Sequence, residues 1–131
     1  MILKALQKFI SGREPLFYEE SRIPALLSKV SPIEIGAISI AWFVFARNKI
    51  NKTTRRHETI HYHQQLELLF VFQWILYGSF WLFGMLKYRD GKKAYYENPF
   101  EREAYANERK TTYLKKRPIW NWVNYIKVEK I

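Results

Sequence analysis

Three residues near the middle of the chain have the types and the spacing of a metal site. His57, Glu58 and His61 form the sequence HExxH, and Thr53 or Thr54 offers an N-cap for a helix that carries it. On a helix, positions i and i+4 lie about 40° apart around the axis, so both imidazoles can bind one ion. Glu58 is rotated by about 100° from His57 and can reach a water on that ion instead. The pattern predicts the chemistry of a zinc hydrolase, with two nitrogen ligands and one carboxylate that takes a proton from water.

A third protein ligand must come from another part of the chain. The sequence contains no cysteine, which excludes disulfides and thiolate ligands, so any metal must be held by His, Asp or Glu. A catalytic zinc usually has three protein ligands and one position open to water. The candidates downstream of the HExxH sequence are Asp90, Glu97, Glu101, Glu103 and Glu108.

The run EREAY, residues 101–105, supplies a second motif. HExxH followed by a helical E-x-x-A-[DY] resembles the gluzincin metallopeptidases, a family that includes membrane-embedded zinc proteases. This resemblance implies that Glu101 joins His57 and His61 as a Zn²⁺ ligand and that Glu58 activates the water. The wider run, from RHETIHYHQQ to NPFEREAYANE, is also similar to small uncharacterised bacterial proteins with this layout. The resemblance covers about half of the chain.

The second motif departs from the family in one position and has a competing interpretation. Gluzincins commonly have Asp four residues after the ligand glutamate, where it supports a ligand histidine, whereas this chain has Tyr105. A tyrosine is compatible with orienting a histidine or contacting an oxyanion, so Tyr105 is a candidate catalytic residue. Glu101 also fits a capping box with Asn98, in which it would only serve the start of a helix. Glu103, on the opposite face, is then the second choice of ligand.

The neighbours of the HExxH sequence have other expected roles. His63 lies roughly 160° around the helix from His61 and is not expected to bind the same ion. Gln64 lies nearly on the face of His57, where it either hydrogen-bonds near the site or fills a helix–helix contact. Arg55 and Arg56 are expected to be solvated or to contact lipid headgroups.

The remaining elements follow from local signals. Residues 2–10 predict a short amphipathic helix. Residues 33–46, rich in Ile, Val, Phe and Trp, predict one long or two short strands, with a short buried helix as the alternative. This strand could lie beside the site and hold an extended peptide by strand addition, as gluzincin-like folds do by resemblance. A helix is expected from Pro99 through residue 114, and Pro118 ends it before an aromatic tail that packs back.

Residues 66–86 form the longest apolar block in the chain. A straight helix over this block would separate His61 from Glu101 by roughly 30 Å, so a shared metal site requires the chain to turn back. We therefore expect an apolar helical hairpin over about residues 66–88, bent at Gly78-Ser79, that dips into a membrane or lies on it. The alternative is an ordinary buried helix pair.

The composition favours a membrane as partner. The chain carries 22 Lys and Arg against 12 Asp and Glu, a net charge of +10, and its aromatic content is 18%. This charge suits an anionic membrane surface or nucleic acid. Many aromatics lie in the apolar block, which favours the membrane and disfavours nucleic acid. Basic residues flank the block on both sides, so we expect attachment to the inner (cytoplasmic) membrane with the site on the cytoplasmic side.

These features predict one domain over residues 1–131, mainly α with a small β element (α+β), formed as a minimal zincin-like core. The expected function is zinc-dependent hydrolysis of a peptide or protein substrate. The alternative is a non-enzymatic subunit of a membrane protein complex that retains the site and binds partner subunits through its aromatic surfaces.

Overall fold

Helices and one small sheet form the structure, which confirms the predicted mainly helical α+β class. The computed structural model describes residues 2–11, 13–29 and 36–126. In chain order the elements are α1 Ile2–Ser11, β1 Leu16–Tyr18, α2 Ile23–Ser28, β2 Ala37–Ile40, β3 Phe43–Ala46, α3 Lys52–Glu67, α4 Val71–Tyr88, α5 Gly91–Glu97, α6 Pro99–Asn107, α7 Tyr113–Lys116 and a 3₁₀ helix Asn121–Tyr125.

The sheet has the strand order β1-β3-β2. β1 runs parallel to β3, with Phe17 opposite Val44, and β2 runs antiparallel to β3, with Ile38 opposite Phe45. Val44, in the central strand, is fully buried. The prediction of two short strands is thus confirmed over residues 37–46, and its first residues, 33–35, lie outside the described part of the chain.

The helix α3 is the central element, because every residue from 57 to 65 is buried. Its N-cap is Asn51, whose side-chain oxygen accepts a hydrogen bond from the backbone N–H of Thr54 at 2.8 Å. The prediction of Thr53 or Thr54 as N-cap is therefore wrong. The helix begins at Lys52 since Asn, one of the strongest N-cap residues, already precedes it.

The chain turns back after α3, but not where we expected. α3 and α4 meet at an angle of 114° across residues 68–70, and α4 then continues without a break through Gly78-Ser79. The hairpin predicted over residues 66–88 is thus wrong in its bend. Gly78 has ordinary helical angles, and the Ser79 hydroxyl donates to the carbonyl of Ile75 within the helix at 2.7 Å. The chain reverses instead at Arg89, a left-handed C-cap, and α5 packs against α4.

No single helix in the described ranges is both long and apolar enough to cross a bilayer. α3 and α4 reach that length and apolar character only when they are taken together across their bend.

The start of α6 was predicted correctly and its end was not. Asn98 is the N-cap, and its side-chain oxygen accepts from the N–H of Phe100 at 3.1 Å. The helix ends at Asn107 instead of running to residue 114. Arg56 donates to the carbonyl of Glu108 at 2.6 Å, so this carbonyl is bound by a side chain where a longer helix would use a backbone N–H. The aromatic tail packs back as expected, with Trp122 buried against Phe100 at 4.7 Å between rings.

A buried ion cluster fixes the end of α7 to the last residue of α3 and to the middle of α6. The guanidinium of Arg117 donates to both carboxylate oxygens of Glu67 at 2.8 Å, and it donates to Glu103 at 2.5 and 2.9 Å. Glu103, the second choice of metal ligand, is thus paired with Arg117 and not with the histidines. It does not point away from the HExxH helix as expected, because it also accepts a hydrogen bond from Gln64 of that helix.

Candidate metal centre

α3 and α6 bring the three expected ligands together. The Nε2 atoms of His57 and His61 lie 3.1 and 3.0 Å from one carboxylate oxygen, Oε1 of Glu101, and 3.2 Å from each other. All three side chains are buried. The two histidines come from successive turns of α3, and Glu101 comes from the first turn of α6.

The outer ring nitrogens of both histidines have acceptor partners. His57 Nδ1 donates to Oε2 of Glu108 at 2.8 Å, and His61 Nδ1 donates to Oε1 of Gln64 at 2.8 Å. In a neutral imidazole, an N–H at Nδ1 leaves a lone pair at Nε2. The two Nε2 lone pairs therefore point towards the Glu101 carboxylate.

The orientation of the Gln64 amide is itself fixed. Its Nε2 donates to the carbonyl of Phe100 and to Oε1 of Glu103, both at 3.0 Å, so its oxygen is left to face His61. Gln64 was expected to donate a hydrogen bond near the site or to fill a helix–helix contact; it accepts from His61 and donates across the contact between α3 and α6. Gln64 thus links the histidine to the buried ion cluster.

Two imidazole nitrogens and one carboxylate oxygen that converge in this way form a site for positive charge, either protons on the imidazoles or a metal ion. An ion with bonds of about 2.0–2.1 Å in tetrahedral geometry separates its ligand atoms by about 3.3 Å. The separations of 3.0 to 3.2 Å come within a few tenths of an ångström of that value. His57, His61 and Glu101 could therefore hold a metal ion.

The electrostatics of the metal-free site also favour positive charge. Burial opposes protonation of His61, but the charge and hydrogen bond of Glu101 outweigh it and raise the pKa of His61 to about 10. Burial likewise opposes protonation of His57, and Glu101 again raises the pKa above its usual range. For Glu101, burial favours the neutral acid, yet the two histidines lower its pKa. Without a metal, protonation of both histidines would place two positively charged imidazoles next to each other. A single metal ion would take the place of these protons.

Glu101 does not act as a helix cap. Its second oxygen, Oε2, accepts a hydrogen bond from the hydroxyl of Tyr77 at 2.7 Å. The backbone N–H of Asn98, which a capping box would direct to Glu101, donates instead to the carbonyl of Tyr95. The carboxylate thus faces the histidines with both oxygens engaged in the site.

Glu58 is placed beside the triad and not within it. Its carboxylate is buried, which raises its pKa above the usual range despite the nearby histidines. It lines a cavity of about 450 Å³ together with His57, Tyr95, Tyr105 and Glu108. Within the described residues no side chain or backbone group forms a hydrogen bond with this carboxylate.

Tyr105 contacts His57 by packing and not by a hydrogen bond. The two rings lie 4.4 Å apart at 66°, and the Tyr105 hydroxyl is 3.0 Å from that of Tyr95. The polar support of His57 comes from Glu108, seven residues after Glu101 and on the same helix face. The sequence signal for this was the i+7 spacing, whereas nothing in the sequence pointed to Tyr77. The expected oxyanion role of Tyr105 stays a prediction.

Three further residues of α3, His63, Arg55 and Arg56, lie near the site but outside the cluster of His57, His61 and Glu101. His63 donates from Nε2 to the carbonyl of Arg13 at 2.9 Å, outside the site as predicted, and burial lowers its pKa to about 4. Arg56 was expected at solvent or lipid; it is partly buried, and its guanidinium donates to the carbonyl of Glu108 at 2.6 Å. Arg55 is half exposed, with its guanidinium 4.2 Å above the ring of Phe17.

The strand β2 lies beside α3, but little of its outer edge is free. Gln65 accepts from the N–H of Ala41 at 2.8 Å and donates to the carbonyl of Ser39 at 3.2 Å, so this side chain takes the place of a neighbouring strand. Gly36 and Ala37 line the cavity. Strand addition by a peptide stays a prediction, limited to these two residues.

Comparison of the chain with protein-family models, with curated proteins and with solved structures gives no match. The likeness to gluzincins therefore rests on the two motifs alone.

Proposed function

We propose that this protein is a zinc-dependent hydrolase of peptide bonds. The observation that carries the proposal is the convergence of His57 Nε2, His61 Nε2 and Glu101 Oε1 on one point, with Glu58 beside them at a cavity. Two imidazoles and one carboxylate are a common ligand set of catalytic zinc, and they leave a fourth position for water. Zinc at such a site lowers the pKa of water and polarises a carbonyl.

Glu58 is the proposed general base. It accepts the proton of the attacking water and then gives it to the leaving amine, because the same carboxyl group serves both steps. The raised pKa that burial gives Glu58 makes it a stronger base than an exposed glutamate. Tyr105, half exposed at the same cavity, is the proposed donor to the developing oxyanion.

The cavity fits part of a peptide. Its volume of about 450 Å³ lies within the usual range for ligand sites, and its lining includes Tyr95, Tyr96 and Tyr105. These aromatic walls would bury an apolar side chain of the substrate, and a metal held by His57, His61 and Glu101 would supply Lewis acidity for the adjacent carbonyl. A peptide or protein segment is therefore the proposed substrate.

A second candidate function is supported by the exposed apolar surface. Leu82 and Leu86 on α4 are 56% and 73% exposed, and such patches also bind partner proteins. In that case the chain is a non-enzymatic subunit of a membrane protein complex, and the metal only stabilises it.

The test combines metal content with peptide hydrolysis on a quenched-fluorescent peptide library. We expect near-stoichiometric zinc in the wild type, loss of zinc and activity in His57→Ala, and retained zinc with at least about 100-fold lower activity in Glu58→Gln. Glu14→Gln, at an exposed position, is the matched control and should behave as wild type. Zinc without hydrolysis in the wild type favours the second candidate. No zinc, or full activity in Glu58→Gln, overturns the proposal.

A further inference from the structure

One side of α4 is apolar along the length of the helix and faces away from the rest of the described chain. We call this side the outer face of α4, and its members are Phe72, Ile75, Ser79, Leu82, Phe83 and Leu86. Each of the five apolar members is more than half exposed. The hydroxyl of Ser79 donates to the carbonyl of Ile75 at 2.7 Å, so this polar group is satisfied within the helix. The outer face can therefore enter an apolar phase without leaving a hydrogen bond unmade.

The opposite side of α4 fixes the orientation of the outer face. Tyr77 donates to Glu101, Gln73 is buried, and Gly84 packs directly against Ala94 of α5. These contacts prevent α4 from rotating its apolar side into the core. The outer face of α4 therefore stays exposed on the folded protein.

The N-terminal end of α4 carries an exposed aromatic cluster. Leu69 and Phe70 both have positive φ, 54° and 60°, although neither is glycine. This strained turn leaves Leu69 exposed and places the ring of Phe70 between those of Trp42 and Trp74, tilted against both, with ring distances of 4.9 and 6.4 Å. Tryptophans at the edge of an apolar surface are typical of the boundary between lipid headgroups and acyl chains.

The C-terminal end of α4 carries basic residues. Lys87, Arg89, Lys92 and Lys93 lie within seven positions of one another and are exposed, and the chain as a whole has a net charge of +10. An anionic surface complements this charge. A second copy of the same chain does not complement this charge, because two copies that each carry +10 repel each other.

We propose that the outer face of α4 docks in the plane of an anionic lipid bilayer. The aromatic cluster and the basic end lie at headgroup level, and the five apolar side chains enter the acyl region. α4 lies in the plane and does not cross the bilayer, because its inner side binds α5 and α6. This inference goes beyond the proposed hydrolysis, since no residue of the outer face contacts the three metal ligands.

The experiment is flotation of the purified protein with extruded vesicles. One set contains phosphatidylcholine and phosphatidylglycerol in equal parts, and the other contains phosphatidylcholine alone. We expect the wild type to float with the mixed vesicles and more weakly with the neutral ones. Leu82→Asp and Leu86→Asp should each lower the partition coefficient at least about tenfold. The matched control is Leu26→Asp on α2, where leucine is similarly exposed but lies outside the outer face.

Retained zinc content and circular dichroism show that each variant is folded. Wild-type protein that does not float with either vesicle overturns the proposal. Equal flotation of Leu82→Asp and wild type also overturns it. A third contrary outcome is a dimer without lipid that Leu86→Asp converts to monomer while vesicle binding is absent, because the outer face is then an interface between two copies.

Discussion

His57 depends on Glu108 for its chemical state. The carboxylate accepts from Nδ1 at 2.8 Å, which fixes the tautomer, aims the Nε2 lone pair at the metal position and strengthens the ring as a ligand. The motif resemblance placed such support four residues after Glu101, whereas the hydrogen bond to His57 comes from Glu108, seven residues after it. Tyr105 occupies the position four residues after Glu101 and packs on the imidazole instead.

We predict that Glu108→Ala weakens zinc affinity by about 10–100-fold, because His57 loses the partner that orients it. Glu108→Gln should lose less, since its amide oxygen can still accept from Nδ1 without the charge. Competition with a chromophoric chelator measures both values. Glu14→Ala, which removes an exposed carboxylate far along the chain, serves as the control. If Glu108→Ala binds zinc as tightly as wild type, Glu108 does not support the metal site.

Among the elements, the helices that carry the ligands have local start signals in the sequence. Asn98-Pro99 marks the start of α6 by its own chemistry, and the HExxH helix was expected where α3 lies. The bend between α3 and α4 has no such signal. It occurs at Leu69 and Phe70, which rarely adopt positive φ, so only tertiary packing selects it.

Gly78 shows the opposite case, because a residue pair typical of turns lies inside a continuous helix. Glycine permits a turn but does not enforce one, and the contacts of α4 on either side outweigh its helix cost of about 1 kcal/mol. The two motifs were therefore sufficient to predict that His57, His61 and Glu101 lie close together. The route of the chain between the ligands could not be predicted, since it depends on contacts such as that of Tyr77 with Glu101.

The two glycines of α4 give a matched pair of stability predictions. A Cβ on Gly84 would lie 2.9 Å from the Cβ of Ala94 and 3.0 Å from its Cα, whereas a Cβ on Gly78 meets nothing within 4 Å. Gly84→Ala should destabilise the fold by about 1–3 kcal/mol because α4 and α5 must separate. Gly78→Ala should stabilise it by about 0.5–1 kcal/mol through helix propensity. Urea unfolding measures both, and equal effects would show that α4 and α5 are not closely packed.

For the molecule as a whole, two polar centres join α3 to α6. One is the candidate metal centre, and the other is the ion cluster in which Arg117 binds Glu67 and Glu103. Gln64 lies between them and hydrogen-bonds to both His61 and Glu103. Charged groups buried in this way are costly unless each has its partner, so the interface depends on all of its members being present.

Zinc should therefore stabilise the folded chain, because its ligands come from positions 40 residues apart that are assembled only in the native state. With free zinc at about 100 times its dissociation constant, the free energy of unfolding should rise by about 2.7 kcal/mol over the protein with chelator. Urea unfolding with and without chelator measures this difference. Gly78→Ala should respond to zinc as wild type does, and His57→Ala should not respond. An equal response in His57→Ala would mean that zinc binds elsewhere, and no response in wild type would mean that the native state has no zinc site.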